Sequence, residues 1–171
     1  MGTSSIRDAM ATDALVLAEM KTRFVRRIYR GFLPMELFTE ACCDRYAPEI
    51  SQWLTEGRFQ APVLEADGQP QAFALVGDYY EVAGTGLIYE MIIDQGCRMD
   101  DYRRLLTHIL KRFRETGYPA AYVWVLRDNF KVRFFYEQMG FRADGTRRTV
   151  QQGDQELIIT RYVCPLDKPL P

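Results

Sequence analysis

Apolar side chains recur along this chain at two spacings, and each spacing predicts a different kind of element. In residues 12–30 they lie mostly three or four positions apart, which predicts a helix that ends before Gly31 and Pro34. Two shorter helices are predicted next, one over residues 37–41 and one that Pro48 opens. The apolar stripe of the first helix comprises Leu15, Leu17, Met20, Phe24 and Ile28.

From residue 61 onward the apolar pattern becomes that of strands. Strands over 61–66, 71–80 and 87–93 are separated by turn signals, the first of them Asp67-Gly68, and so predict an antiparallel meander. Ile6 predicts a short strand before the first helix. The remaining strands are predicted over 120–126, from Phe141 to a turn at Asp144-Gly145, and over 156–163.

The clearest helical pattern lies at residues 100–116, where one continuous face is apolar. Asp100 suits the N-cap of this helix, and Gly117 suits the position just after its end. Another helix is predicted to begin at Asp128 or Asn129. The apolar face of the 100–116 helix comprises Tyr102, Leu105, Leu106, Ile109, Leu110 and Phe113.

Charge is distributed unevenly along the chain. The net charge is -1, but residues 98–148 hold 12 Lys and Arg against 6 Asp and Glu, a local net of +6, so the remaining residues carry -7. Such a segment is either a chance clustering on solvated helix faces or the site of an anionic ligand. The near-zero net charge does not favour a nucleic-acid partner.

The composition excludes several classes of protein. With 171 residues, 47% of them hydrophobic and 26% charged, the chain suits one domain over 1–171, with a loose tail at 165–171. No apolar run approaches the ~20 residues of a membrane span, and the first residues lack the pattern of a signal peptide, so we expect a cytoplasmic protein without a membrane partner. A single histidine and four cysteines without a Cys-x-x-Cys pair predict reduced thiols and no metal site.

The segment 124–141 is the most informative part of the chain. It predicts a strand that leads to Asn129, a helix carrying Phe135-Tyr136-Glu137, and a strand that begins at Gly140-Phe141. This arrangement resembles the GNAT superfamily of N-acetyltransferases, and the predicted order of elements agrees with that superfamily over nearly the whole chain. The resemblance implies an α/β fold with a twisted, mixed sheet of about six or seven strands and helices on both faces. The strand ending near Leu126 would then run parallel to the strand ending near Ile93.

The resemblance also implies a reaction, the transfer of an acetyl group from acetyl-CoA to a primary amine of a small molecule, without a metal. Tyr136 would donate a proton to the departing thiolate, unless it is only a tyrosine packed between helix and sheet. Glu90 would take the proton of the amine, unless it serves a cross-strand salt bridge. Tyr29 and Phe32 lie in a segment, 29–34, that resembles the acceptor-side loop of small-molecule acetyltransferases.

The cofactor side would extend over residues 98–141. Ile92 and Ile93 match positions where the backbone of a bulged strand contacts the thioester arm, and Asn129 would both cap its helix and contact CoA. The loop that holds the pyrophosphate of CoA in the superfamily contains two glycines, and Asp101 and Arg103 stand in their places here. In register, the loop and the start of its helix comprise Arg98, Met99, Asp100, Asp101, Tyr102, Arg103 and Arg104.

The two substitutions in the loop leave two hypotheses open. Either the chain is an active acetyltransferase whose loop arginines hold the phosphates, or it is a catalytically silent GNAT-fold module for interaction or regulation that has lost CoA binding. Two aspartates at a helix amino terminus repel an anion by roughly 3 kcal/mol per close charge pair, whereas nearby arginines offset this repulsion. The resemblance also leaves a homodimer open.

Overall fold

The computed structural model describes residues 4–30 and 43–169 as a mixed α/β structure. Its strands are β1 (Ser4–Asp8), β2 (Pro62–Ala66), β3 (Gln69–Asp78), β4 (Gly86–Ile93), β5 (Ala120–Leu126), β6 (Arg142–Gln152) and β7 (Gln155–Pro165). Its helices are α1 (Ala14–Tyr29), α2 (Cys43–Thr55), α3 (Met99–Thr116) and α4 (Phe130–Gln138), with a 3-10 turn at Ala11–Asp13.

The described strands form one mixed sheet of seven in the order β1-β2-β3-β4-β5-β7-β6. β4 and β5 run parallel, with Gly86 opposite Ala121 and Ile88 opposite Val123, and α3 connects them. β7 returns antiparallel between β5 and β6. The predictions of a mixed sheet of about six or seven strands, and of parallel pairing between the strand ending near Ile93 and the strand ending near Leu126, are confirmed.

The chain divides into two compact units, and the boundaries between them fall within β3, β4 and α3. The first unit comprises Met1–Leu75 and Glu90–Leu105, and the second comprises Val76–Tyr89 and Leu106–Pro171. The prediction of a single domain over 1–171 stays a prediction.

The core of the first unit forms where α1 and α2 cover strands of the sheet. Leu17 and Met20 of α1 and Ile50 of α2 are fully buried in one apolar cluster with Phe73 and Leu75 of β3. The whole cluster comprises Ala14, Leu17, Ala18, Met20, Ile50, Phe59, Ala61, Val63, Phe73, Leu75 and Ile92. The helices are therefore fixed by apolar burial, which contributes roughly 1.5–3 kcal/mol for each large side chain.

In the second unit, β5 alternates between buried and half-buried side chains, with Ala121, Val123 and Val125 on the buried face. The predicted apolar face of α3, which begins in the first unit and continues here, is buried over its whole length, from Tyr102 to Phe113. Gly86 of β4 lies against the Phe113 ring, which would stand 2.6 Å from an added Cβ.

The predicted helices differ from the structure at their beginnings. Leu15, expected on the inner stripe of α1, is 59% exposed, because Leu17 and Met20 face the core and a residue two positions before Leu17 points away from it. Pro48 does not open α2 but lies inside it. Asp100 lies in the first turn of α3 rather than capping it, since the Tyr102 N–H already donates to the Arg98 carbonyl at 3.1 Å. The helix predicted over 37–41 lies outside the described residues.

Two predictions near the end of the chain are also corrected. Asp144-Gly145 is not a turn between strands, because β6 continues through it with a register shift between Ala143 and Arg147. The loose tail does not begin at 165, because Pro165 still pairs with Ala120 and Leu166 is buried. Within the described ranges, no helix has both the length and the apolar composition needed to span a membrane.

Candidate active site

Glu90 of β4 is held in an ion pair in the first unit. Lys21 of α1 donates from Nζ to Glu90 Oε1 at 2.8 Å. Lys21 is almost completely buried, at 6% exposure, which is rare for a lysine and requires a partner charge. Glu90 Oε2 is also buried and has no hydrogen-bond partner among the described residues. One oxygen of this carboxylate is therefore fixed by the chain, and the other has its lone pairs unused.

Aromatic side chains of the two helices surround this ion pair. Lys21 Nζ lies 4.4 Å from the centroid of the Tyr46 ring and 6.0 Å from that of Trp53, both on α2. Burial and, secondarily, the negative charge of Glu90 raise the pKa of the Tyr46 hydroxyl and of the Tyr29 hydroxyl on α1. Tyr29, a predicted substrate contact, therefore lies within electrostatic range of Glu90. Phe32, its predicted companion, lies outside the described residues.

Ile92 and Ile93 at the end of β4 have different environments. Ile92 is 3% exposed and belongs to the core cluster of the first unit, on the side of α1 that also faces Glu90. The predicted alternation, which places Glu90 and Ile92 on one face, is confirmed. The Ile93 carbonyl accepts a hydrogen bond from Arg27 at 2.8 Å, so this backbone group already has one partner within the chain.

The loop arginines at the start of α3 are paired with the loop aspartates. Arg104 donates from Nη1 to Asp101 Oδ1 at 2.9 Å and to the Ser4 hydroxyl on β1. Arg103 lies 3.7 Å from the Asp100 carboxylate. Both loop carboxylates, including the one of Asp101 that stands in the place of a glycine, are therefore paired with arginines within the first turns of α3. Among the described residues, Arg98 takes part in no ion pair.

A surface cavity of about 430 Å³ lies beside this loop in the first unit. Three carboxylates and two guanidiniums contribute to its wall, so its lining is close to neutral rather than strongly positive. Of the other predicted loop contacts, Met99 is half exposed and Tyr102 belongs to the buried face of α3. The lining comprises Ser4, Ala66, Asp67, Arg98, Asp100, Asp101 and Arg104.

Tyr136 of α4 is packed between aromatic rings in the second unit. It is 3% exposed and lies edge-on between the rings of Phe135, at 5.4 Å, and Phe141, at 5.2 Å. Burial raises the pKa of its hydroxyl well above the usual value. No described residue exchanges a hydrogen bond with this hydroxyl. The phenol is therefore kept protonated and its donor is unused.

Asn129 is the N-cap of α4, which decides between the two predicted alternatives, Asp128 and Asn129. Its side-chain oxygen accepts from the Val132 N–H at 3.3 Å. Asp128 instead pairs with Arg127 at 3.0 Å. The cap uses one lone pair of Asn129 Oδ1 and leaves its NH₂ group available, so a contact to CoA stays compatible with the cap.

The predicted site residues fall into two sets, one in each unit. Glu90, Ile92, Tyr29 and the 98–104 loop belong to the first unit, and Asn129 and Tyr136 belong to the second. Lys21 was not predicted, although the sequence carries a signal for it: it lies four residues after Leu17 and three before Phe24, within the apolar stripe. In the described ranges no group of three or more His, Cys, Asp or Glu is arranged to hold a metal ion.

Comparisons with known proteins agree with this fold. The family model described as acetyltransferase (GNAT) family matches residues 24–141. The PaiA N-acetyltransferase of Thermoplasma acidophilum, solved with coenzyme A, has a TM-score of 0.76 at 15% identity, covering 95% of this chain and 99% of its own. The ribosomal-protein-S18-alanine N-acetyltransferase of Escherichia coli has a TM-score of 0.73 at 16% identity, covering 98% of this chain and 96% of its own.

A third similar structure is yncA, a putative acetyltransferase of Salmonella typhimurium solved with acetyl-CoA. Its TM-score is 0.69 at 17% identity, and the alignment covers 97% of this chain and 95% of that one. No curated protein sequence matches the chain. At such identities the structures demonstrate the fold, whereas the family model spans well over half of the sequence. The chain belongs to the GNAT family of acetyltransferases.

Proposed function

We propose that this acetyltransferase moves an acetyl group from acetyl-CoA to the primary amine of a small molecule. The observation that carries the proposal is Tyr136, whose side chain is buried and whose protonated hydroxyl has no hydrogen-bond partner among the described residues. A phenol in this state can donate its proton to a thiolate as the thiolate leaves the acetyl group.

Glu90 supports the other half of the reaction. An amine attacks a carbonyl only after it loses a proton, and a carboxylate oxygen with unused lone pairs can accept that proton directly or through a water. Oε2 meets this requirement because Lys21 engages only Oε1. We assign Glu90 Oε2 as the acceptor of the proton that the amine loses, and Tyr136 as the donor of the proton that the departing thiolate gains.

The fit of acetyl-CoA differs between its two ends. At the thiol end, a buried protonated phenol suits a departing sulfur. At the phosphate end, Asp100 and Asp101 engage Arg103 and Arg104, so of the three loop arginines Arg98 is the one without an ion pair among the described residues. We propose that Arg98 supplies the main positive charge toward the phosphates, with Arg104 added when it leaves Asp101.

The silent-module hypothesis is favoured by one observation only, the internal pairing of the loop arginines. Two experiments separate the hypotheses. Calorimetry with CoA on the native chain should give saturable binding that weakens with added salt, because phosphate contacts are ionic. No heat of binding at millimolar CoA would instead support the silent module.

The second test uses Tyr136→Phe with a panel of primary amines and detection of the free thiol. The variant should keep its affinity for CoA and lose roughly 10²–10⁴-fold in the rate of transfer, the usual effect of removing a positioned acid. Because Phe135 already provides a neighbouring ring, Phe135→Leu serves as a packing control. Equal rates for Tyr136→Phe and the native chain would remove Tyr136 from the mechanism.

A further inference from the structure

The surroundings of Lys21 have the composition of a binding site for an ammonium ion. A carboxylate oxygen lies 2.8 Å from Nζ, one aromatic face lies at 4.4 Å, and a second lies at 6.0 Å. Carboxylates together with aromatic faces bind ammonium ligands through charge and through cation–π attraction. In this chain the ammonium comes from the protein itself, and it is nine-tenths buried.

The same carboxylate is the proposed proton acceptor for the acceptor amine. The charge of Glu90 is thus already balanced before any substrate arrives, and only Oε2 stays available. Two cations near one carboxylate repel each other, so a substrate that brings a second positive charge gains nothing at this point. Tyr29 and Tyr46, two titratable groups of the described residues that lie within range of Glu90, are neutral when protonated and supply no further negative charge.

We propose that Lys21 fills from within an ammonium site formed by Glu90, Tyr46 and Trp53, and that it thereby selects acceptors whose amine is their single cationic group. The first part concerns binding alone, and the second part rests on the proposed function. Lys21 acts as a positioning residue: it orients Glu90 through Oε1 and presents Oε2 to the acceptor. The acceptor class is therefore a monoamine with an uncharged or anionic body, and diamines are disfavoured.

Removing the lysine should open the site to an external ammonium ion. Lys21→Ala deletes three methylenes and the amine, which is the fragment that n-propylammonium replaces. We expect this variant to bind n-propylammonium saturably in calorimetry, and to gain about 2–4 °C in melting temperature at five times the dissociation constant. n-Propanol, which has the same length without the charge, should give no such gain.

Two further proteins complete the binding test. The native chain and Lys21→Met, in which the space stays filled, can take n-propylammonium only as an acceptor beside Oε2, and we expect both to bind it at least tenfold more weakly than Lys21→Ala does. An equal response from the native chain, or an equal response of Lys21→Ala to n-propanol, would overturn the ammonium site. The binding test does not depend on acetyl transfer, so its result decides about the ammonium site even if the proposed function fails.

The acceptor preference is tested with n-butylamine and 1,4-diaminobutane as acceptors and acetyl-CoA as the acetyl donor. The native chain should favour the monoamine in kcat/KM, and Lys21→Met should raise the ratio of diamine to monoamine about tenfold, since the carboxylate is again available to a second ammonium. A loss of stability alone lowers both rates and leaves the ratio unchanged. Lys111→Met, which removes an exposed lysine of α3, is the matched control. An unchanged ratio in Lys21→Met overturns the acceptor rule, whereas no transfer to any amine by any variant indicates failure of the proposed function.

If Lys21→Ala does not fold even with n-propylammonium, a double-mutant cycle decides. Lys21→Met, Glu90→Gln and the double variant measure the coupling between the two side chains by chemical unfolding. If Glu90→Gln makes Lys21→Met more stable, the two side chains are coupled, and this supports the proposal that Lys21 occupies the ammonium site. A double variant that shows no coupling contradicts it, because Lys21 would then have no interaction with Glu90 in solution.

Discussion

Two ion pairs of the first unit look alike in distance and differ in setting. Lys21 meets Glu90 at 2.8 Å, and Arg104 meets Asp101 at 2.9 Å. The two carboxylates are about equally exposed, with 25% and 19% of their side-chain areas accessible, but the lysine is 8% exposed and the arginine 50%. The difference therefore lies in the cation.

The buried cation has consequences that the exposed one lacks. Lys21 cannot exchange its partner for water, because burying an unpaired ammonium costs several kcal/mol. Arg104 can leave Asp101 for solvent or for a phosphate at little cost, since exposed ion pairs contribute roughly 0–1 kcal/mol. Of two charge pairs at proposed functional positions, one is thus a fixed part of the site and the other can open for a ligand.

The largest effect is expected from the buried pair. Lys21→Met leaves the Glu90 carboxylate without its partner and should lower the free energy of unfolding by about 3 kcal/mol, the lower end for breaking a buried pair because Glu90 is partly accessible. Urea denaturation at neutral pH measures this loss. A loss below about 1 kcal/mol would place the pair among surface ion pairs and remove the contrast.

The unpaired arginine of the loop should have the next largest effect. Arg98→Ala removes a charge-assisted contact to phosphate and should weaken CoA binding by about 1.5–3 kcal/mol, or roughly 10–150-fold. Arg103→Ala is the matched control, and its effect should be smaller because Asp100 already engages that guanidinium at 3.7 Å. Calorimetry at two salt concentrations makes the measurement, and equal effects of the two variants would contradict the role of Arg98.

Removing the carboxylate of the exposed pair should improve binding of an anion. Asp101→Gly frees Arg104 and takes a negative charge out of the cavity wall, so CoA should bind up to about tenfold more tightly. Asp101→Gly removes both the negative charge and the side chain that keeps a phosphate away from the backbone. Asp101→Asn removes the charge and keeps the side chain, so comparing the two variants separates these effects. If neither variant tightens CoA binding, the phosphates do not approach this wall.

The smallest effect is expected for the stability contribution of the exposed pair. Arg104→Met should change the free energy of unfolding by less than about 1 kcal/mol, as measured in the same urea series as Lys21→Met. Its contact with Ser4 adds a hydrogen bond at the surface, where water can substitute. A loss as large as that of Lys21→Met would mean that the start of α3 depends on this link to β1.

The parts of the fold that the sequence predicted well are those with an unbroken periodic signal. The apolar face of α3 has no polar interruption, and all its members are buried. The α1 stripe was wrong at Leu15 because an apolar side chain two residues before Leu17 cannot share its face. The same stripe contains Lys21, and a lysine is ordinarily assigned to solvent, so the most informative side chain of the site escaped prediction.

Other errors arose where one residue pattern serves two structures. Asp144-Gly145 suits a hairpin turn and equally a bulge, because Gly145 adopts a φ of +90° that either structure accommodates. Only the pairing of β6 with β7 across this point distinguishes them. Similarly, Asp101 and Arg103 could be read as obstacles to an anion, but local sequence does not indicate that Arg104 reaches Ser4 and Asp101 together.

The bulge in β6 has a consequence for the behaviour of the protein in concentrated solution. β6 is an outer strand, eleven residues long and exposed along almost all of it, and a flat edge of this kind invites a strand from another molecule. Arg161 anchors the bulge by donating to Asp144 at 2.7 Å, and Arg147 adds an exposed positive charge to the same strand, whereas Arg148 is paired with Glu81. The irregular, charged edge thus opposes the growth of aggregates strand by strand, and straightening it would be expected to shorten the time that a concentrated solution stays clear.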